Sequence, residues 1–191
     1  MIKYPEAGRV KTRLAGDIGA ERAALICRKI TELVMEQTMP AAGDYDRFVF
    51  YDPPERVRDF LLWLPHEKFI AQRGSDVGKR MDNAIRYLLE NGAKKAVITG
   101  ADIPDLNSRI IMQAFGMLGH AEVVVGPAHD GGYYLIGMKS PMPELFRNIP
   151  WSTKDVFSET VRVLENSGKS YGVLPVLSDL DTIEDLGNIY K

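Results

Sequence analysis

The chain has 191 residues, 45% hydrophobic and 26% charged, the make-up of a soluble globular domain able to bury roughly 70% of its unfolded surface without a covalent staple. Its one cysteine, Cys27, excludes an internal disulfide and a cysteine-rich zinc module, and the wide spacing of His66, His120 and His129 argues against a histidine metal centre. A net charge of −2 with a pI near 6.0 gives no global attraction for nucleic acid or anionic membrane, and no apolar run nears the roughly 20 residues that span a bilayer. Met1-Ile2-Lys3-Tyr4-Pro5 lacks the apolar stretch of a signal peptide, so a single cytoplasmic domain over 1–191 with a reduced thiol is expected.

In chain order, Ile26, Ile30, Leu33 and Val34 recur at helical spacing and predict a long helix over 20–39, stopped by Pro40. The aromatic, β-branched run Arg47–Tyr51 predicts a strand ended by Asp52-Pro53-Pro54. A short helix over 55–63 and a short strand over 69–71 follow. Val77, Met81, Ile85, Leu88 and Leu89 mark one face of a helix over 76–90. Lys95–Thr99 reads as a strand buried on both faces, and a helix from Asn107-Ser108 runs to about Leu118. Strands are predicted over 122–125, 133–138 and 171–176. Helices are predicted over 154–166, capped by Ser152 or Thr153, and over 182–189. Alternating strands and helices imply a three-layer α/β/α sandwich with a mostly parallel mixed sheet. The adjacent strands 122–125 and 133–138 suggest an antiparallel element. Ligands in such sheets bind beyond the carboxyl ends of the strands.

Four segments can carry chemistry. In Pro5-Glu6-Ala7-Gly8-Arg9-Val10-Lys11-Thr12-Arg13-Leu14, Gly8 permits a tight turn, and Arg9, Lys11 and Arg13 would point the same way in an extended loop. Three cations beside a glycine suit a di- or triphosphate, although a solvated basic loop has the same letters. The segment is neither a G-x-x-x-x-G-K-[ST] loop nor a G-x-G-x-x-G turn. In Gly100-Ala101-Asp102-Ile103-Pro104-Asp105, Asp102 stands where a strand-end ligand belongs and suits a hard divalent cation, while Asp105 or Asn107 can simply cap the next helix. His129-Asp130-Gly131-Gly132 reads as a hairpin turn or a close backbone approach to a ligand, with Asp130 a base, an acceptor-orienting group or a turn residue. Asp179-Leu180-Asp181-Thr182-Ile183-Glu184-Asp185 caps a helix, or contributes Asp179 or Asp181 to a metal site with Asp102. Two smaller pieces are Gln72-Arg73-Gly74-Ser75-Asp76, a loop suited to an anion or a nucleotide edge, and Trp151-Ser152-Thr153, where the indole can cover a sugar or base. The near-neutral total thus hides a basic start and an acidic end.

Taken in order, Pro-Glu-Ala-Gly-Arg-Val-Lys-Thr-Arg-Leu, Gln-Arg-Gly-Ser-Asp-Val-Gly-Lys-Arg-Met, Gly-Ala-Asp-Ile-Pro-Asp-Leu, Gly-Pro-Ala-His-Asp-Gly-Gly-Tyr-Tyr-Leu-Ile-Gly, Trp-Ser-Thr and Asp-Leu-Asp-Thr-Ile-Glu-Asp-Leu resemble a bacterial family of glycosyltransferase-A-like proteins. Some of its members are labelled arsenosugar-biosynthesis glycosyltransferases. The family is similar to the guanylyltransferases of molybdenum cofactor and phospholactate metabolism. The resemblance implies a nucleotide-diphospho-sugar transferase fold. It places nucleotide and phosphate contacts at Gly8, Arg9, Lys11, Arg13, Gln72 and Gly74, and Mg²⁺ or Mn²⁺ at Asp102 and Asp181. Asp130 and Lys11 take the catalytic roles, with Asp130 facing the acceptor. Two departures are visible: Ala101 stands where Ser or Thr is usual, and Met1-Ile2 is nearly all that remains of an apolar first strand. The strand is therefore expected to be incomplete, or the start to have been chosen too late.

The resulting expectation is a metal-dependent glycosyltransferase using a nucleoside diphosphate sugar and a small-molecule acceptor. The alternatives are a nucleotidyltransferase that releases pyrophosphate from a nucleoside triphosphate, and a non-catalytic nucleotide-binding protein of the same fold. A nucleic-acid-binding module is a distant further alternative. No nucleic acid or membrane partner is expected, and a homodimer is left open.

Overall fold

A computed structural model of the chain describes residues 1–189. In chain order the elements are β1 (Ile2–Lys3), α1 (Thr12–Ile18), α2 (Ala20–Gln37), β2 (Val49–Asp52), α3 (Val57–Trp63), β3 (Phe69–Ala71) and α4 (Val77–Glu90). They continue with β4 (Ala96–Thr99), α5 (Ser108–Met117), β5 (Val123–Pro127), β6 (Tyr133–Met138), α6 (Val156–Asn166), β7 (Tyr171–Val173) and α7 (Ile183–Ile189). The chain divides into two compact units: residues 1–71, 101–107 and 178 onward form one, and residues 72–100 and 108–177 the other. No helix among the described residues is long and apolar enough to cross a membrane.

The first unit is built on a parallel sheet in the order β1-β2-β3, with Ile2 opposite Tyr51 and Phe50 opposite Ile70. Val49, Phe50 and Tyr51 are all buried, as a strand central to a parallel sheet requires. Ile2, Met35, Val49, Tyr51, Phe60 and Trp63 form its core, with the Tyr51 and Phe60 rings 5.0 Å apart. The Trp63 indole N–H donates to Glu32 at 2.8 Å, fastening α3 to α2 while satisfying the polar end of a large apolar ring. The buried stripe of α2 runs through Ala23, Ala24, Ile30, Thr31, Val34 and Met35. Leu33, expected on that stripe, is instead 39% exposed. Helix α1 falls where a loop was expected. Only Leu14 among its seven residues is buried and Gly16 interrupts it, so it carries no hydrophobic period to read.

The second unit holds a mixed sheet in the order β4-β6-β5-β7. Strand β6 runs antiparallel to both β4 and β5, bearing out the antiparallel element, while β5 and β7 are parallel. Strand β5 is buried throughout. On β4 only Ala96 and Ile98 are buried, Val97 and Thr99 being half-buried, so its two faces are not equally covered as expected. Helix α6 begins at Val156 without a side-chain cap. Thr153 supports it from outside, its hydroxyl accepting the Asp155 N–H at 3.3 Å and donating to the Pro150 carbonyl.

Gly78, in the first turn of α4, lies under the Trp151 ring, and a Cβ there would stand 2.5 Å from the indole. Alanine ordinarily gains about 1 kcal/mol over glycine inside a helix. Here the overlap dominates, because the ring cannot give without moving the segment that carries it. Gly78→Ala is expected to destabilise the protein by about 1–3 kcal/mol in urea unfolding, whereas Gly116→Ala, inside α5 with open space around it, should not. A stabilised Gly78→Ala protein would contradict this account of the packing.

Candidate functional site

The site in the first unit grows from the turn after β1. Arg9 N–H closes on the Glu6 carbonyl at 3.0 Å, with Gly8 at φ 78°, a left-handed conformation natural to glycine. Buried Val10 anchors the turn from below. Lys11 then adopts φ 46°, ψ 49° and opens α1, its carbonyl accepting the Ala15 N–H at 2.8 Å. A long side chain in this region costs roughly 1–2 kcal/mol, and such strain gathers where function needs it. The lysine side chain is only 6% exposed. Its Nζ donates to Asp102 Oδ2 at 3.0 Å and to Asp181 Oδ1 at 2.6 Å.

The two acids reach that point from separate stretches of chain. Residues 101–107 are held by buried Ile103 and Leu106 and by the Gln37 amide, whose nitrogen, turned toward them, reaches the carbonyls of Pro104 and Leu106 at 2.8 and 2.9 Å. The Leu180 N–H donates to the Asp102 carbonyl at 3.1 Å, which sets Asp181 beside Asp102. Asp185 does the capping. Its Oδ2 accepts the N–H groups of Asp181 and Thr182 at 3.0 and 2.7 Å and the Thr182 hydroxyl at 2.8 Å. Burial pushes the Asp185 pKa up, but these hydrogen bonds outweigh it and hold the carboxyl below its ordinary range. With Asp185 as the cap partner, Asp181 is released to face Lys11.

Burial alone would lower the Lys11 pKa; the two carboxylates overcome it and hold the ammonium above the ordinary lysine value. One positive charge against two negative ones leaves the cluster net anionic. The Cys27 thiol on α2 feels the same group of charges, but burial chiefly pushes its pKa up and keeps it a poor nucleophile. Gln37 and Cys27 carried no sequence signal linking them to these acids.

Arg9 and Arg13 do not line up with Lys11. The extended loop expected from their alternation is replaced by a turn, a left-handed residue and a helix, so the period of two no longer applies. Arg9 is exposed and lies 3.7 Å from Glu6, and Arg13 is exposed on α1.

Gln72, Gly74 and Asp130 belong to the second unit. Gly74, at φ 140°, is folded onto the first turn of α4: a Cβ there would stand 2.7 Å from the Arg80 nitrogen. Asp76 caps that helix, accepting the Lys79 N–H at 2.8 Å. Asp130 is exposed on the turn between β5 and β6, where its Oδ1 accepts the Gly132 N–H at 2.8 Å. Gly131, at φ 89°, offers its carbonyl to the Phe157 N–H at 2.9 Å, and a side chain there would overlap the Lys154 carbonyl. The hairpin reading of Asp-Gly-Gly therefore holds. Tyr133 and Tyr134 are strand residues, with the Tyr134 hydroxyl on the Pro175 carbonyl at 3.0 Å and its pKa pushed up to about 12 by burial.

Over its whole length the fold matches the crystal structure of a Desulfovibrio desulfuricans G20 protein provisionally assigned as a nucleotide-diphospho-sugar transferase, with a TM-score of 0.93 and 35% identity over 100% of this chain and 84% of that one. The fold is thus of the nucleotide-diphospho-sugar transferase class. The chain belongs to the DUF2064 family, described as "Uncharacterized protein conserved in bacteria", whose pattern matches residues 35–153. It is also 25% identical, across 100% of its own length and 83% of the relative's, to 2-phospho-L-lactate guanylyltransferase of Methanocaldococcus vulcanius. CMP:2-keto-3-deoxy-manno-octonic acid synthetase, solved with CTP, shares the fold alone, at a TM-score of 0.61 and 13% identity over 98% of this chain and 93% of that one. Relatives of these names make the chain a transferase.

Proposed function

We propose that the chain transfers a glycosyl group from a nucleoside diphosphate sugar to a small acceptor, with Mg²⁺ or Mn²⁺ held by Asp102 and Asp181. The observation that carries this reading is the convergence of both carboxylates on one cation, the Lys11 ammonium. The donor set suits a hard ion: it is all oxygen. Among the described residues no three acid, histidine or cysteine groups gather, so the proposed ion would rest on these two carboxylates, with phosphate and water as its other ligands. When bound, such an ion would neutralise negative charge on the diphosphate.

Lys11 is the residue placed to follow that charge. Its ammonium turns from the carboxylates to a phosphate oxygen and stabilises the leaving diphosphate as the sugar bond breaks. Arg9 and Arg13 add charge from the surface of the same segment. Gly8 lets the backbone approach the phosphates, and Gln72 and Gly74 are assigned to the nucleotide. Asp130 takes the acceptor proton; the Gly132 N–H on one oxygen fixes the orientation of the carboxylate.

A second reading is nucleotidyl transfer, favoured by the guanylyltransferase relative. The two break different bonds. Incubation with Mn²⁺ and a panel of nucleotide sugars and nucleoside triphosphates separates them: released nucleoside diphosphate is expected for glycosyl transfer, and pyrophosphate would mark nucleotidyl transfer. Nucleotide-dependent thermal stabilisation without either product would overturn catalysis and leave a binding protein.

A further inference from the structure

The second unit holds a cavity of about 570 Å³, lined by none of the residues assigned above. That volume lies within the roughly 300–1,000 Å³ typical of small-molecule sites. Phe146 and Ile149, 5% and 7% exposed, and the partly buried Trp151 give it an apolar floor. Lys79, Arg147 and Asn148 line it together with the acids Asp76 and Asp82.

These charges are not equivalent. Asp76 is engaged at the helix cap and lies 3.7 Å from Lys79 Nζ. Asp82 pairs with Arg86 at 3.1 Å, one turn along α4. Lys79 Nζ also donates to Ser75 at 3.0 Å. The Arg147 guanidinium has no partner among the described residues, so the uncompensated charge on the cavity is a planar cation. The wall that carries it is set by backbone rather than by a regular element. Asn148 and Ser152 both adopt left-handed conformations, at φ 57° and 65°, on either side of Ile149 and Trp151. Trp151 is then seated against Gly78, where only a glycine leaves room for the ring. An apolar floor, a seated indole and a solvent-facing guanidinium form a site for a molecule with two ends of opposite character.

We propose that this cavity binds a small organic anion, its carboxylate or phosphate monoester pairing with Arg147 and its ring or apolar part resting on Trp151, Phe146 and Ile149.

The probes are phenylacetate and phenyl phosphate, titrated without nucleotide or metal and followed by ¹H–¹⁵N spectra. The chain has two tryptophans, so Trp151→Phe assigns the two indole signals. Saturable movement of the Trp151 indole is expected, with the Trp63 signal unmoved. Arg147→Gln, a change at an exposed side chain, should weaken binding about tenfold or more at unchanged melting temperature. Benzyl alcohol, which lacks the anion, should bind comparably weakly to wild type and variant. Lys11→Gln should bind both probes as wild type does. No saturable Trp151 shift, or equal affinity in Arg147→Gln, overturns the proposal; loss in Lys11→Gln instead assigns the probes to the phosphate loop and also overturns it. Because these titrations need no turnover, failure of the nucleotide panel leaves their outcome independent.

Discussion

Asp102→Asn is expected to abolish metal-dependent nucleotide binding, lowering the affinity for a nucleoside diphosphate with Mn²⁺ by at least about a hundredfold in calorimetry. The substitution is nearly isosteric and removes one negative charge from a cluster of two carboxylates and one ammonium. A charged contact of about 3 kcal/mol is worth that factor. The fold should survive. The Asp102 backbone carbonyl, not its side chain, takes the Leu180 N–H, so the tie that brings residue 181 to residue 102 is untouched. The side chain is 44% exposed, and losing one partly solvated ion pair costs little stability. Unchanged nucleotide affinity in a well-folded Asp102→Asn protein would remove Asp102 from the metal site.

Strong periods and apolar runs made most of the fold legible. The strands Phe69–Ala71 and Tyr133–Met138 fall where their sequence placed them, and α2 and α4 differ at their ends by one or two residues. Elements without such a pattern were illegible. α1 buries one side chain, and the short helical turn Pro143–Phe146 sits in a segment with no period at all, whereas the two-residue β1 was legible only through the family resemblance. The site divides in the same way. Asp102 was legible because it follows the end of an apolar strand, and Asp181 because it precedes a helix. Which acid would cap that helix was not legible, since Asp181, Thr182 and Asp185 all suit the role. The answer lies in a carboxylate that reaches back to two N–H groups. Nor could spacing show that Lys11 turns left-handed and buries its charge while Arg9 and Arg13 stay at the surface, because that depends on tertiary partners remote in sequence.

Lys11→Gln should separate the two jobs that the proposed function gives this lysine. In the free protein its ammonium bridges the two carboxylates, so under the proposed function an incoming divalent cation would displace it. Without it, two like charges are left together, and Mn²⁺ is expected to bind the nucleotide-free variant roughly tenfold more tightly than wild type. That estimate is well below the ~4 kcal/mol of a close pair at an effective dielectric of 20, since both acids are more than a third exposed. Nucleotide binding in the presence of Mn²⁺ should move the other way, because a phosphate loses its point charge. Stability should fall by about 1–3 kcal/mol, less than a fully buried pair would lose. The pH dependence has a definite sign. The folded-state pKa of Lys11 is raised, so its contribution is complete below the unfolded value of about 10.4 and is lost as pH climbs through the folded value. The stability gap between wild type and variant should stay level from about pH 7 to 10 and close only above that range. A gap that closes near neutral pH, or Mn²⁺ affinity that does not rise, would show that Lys11 is not the counter-ion that a metal must displace.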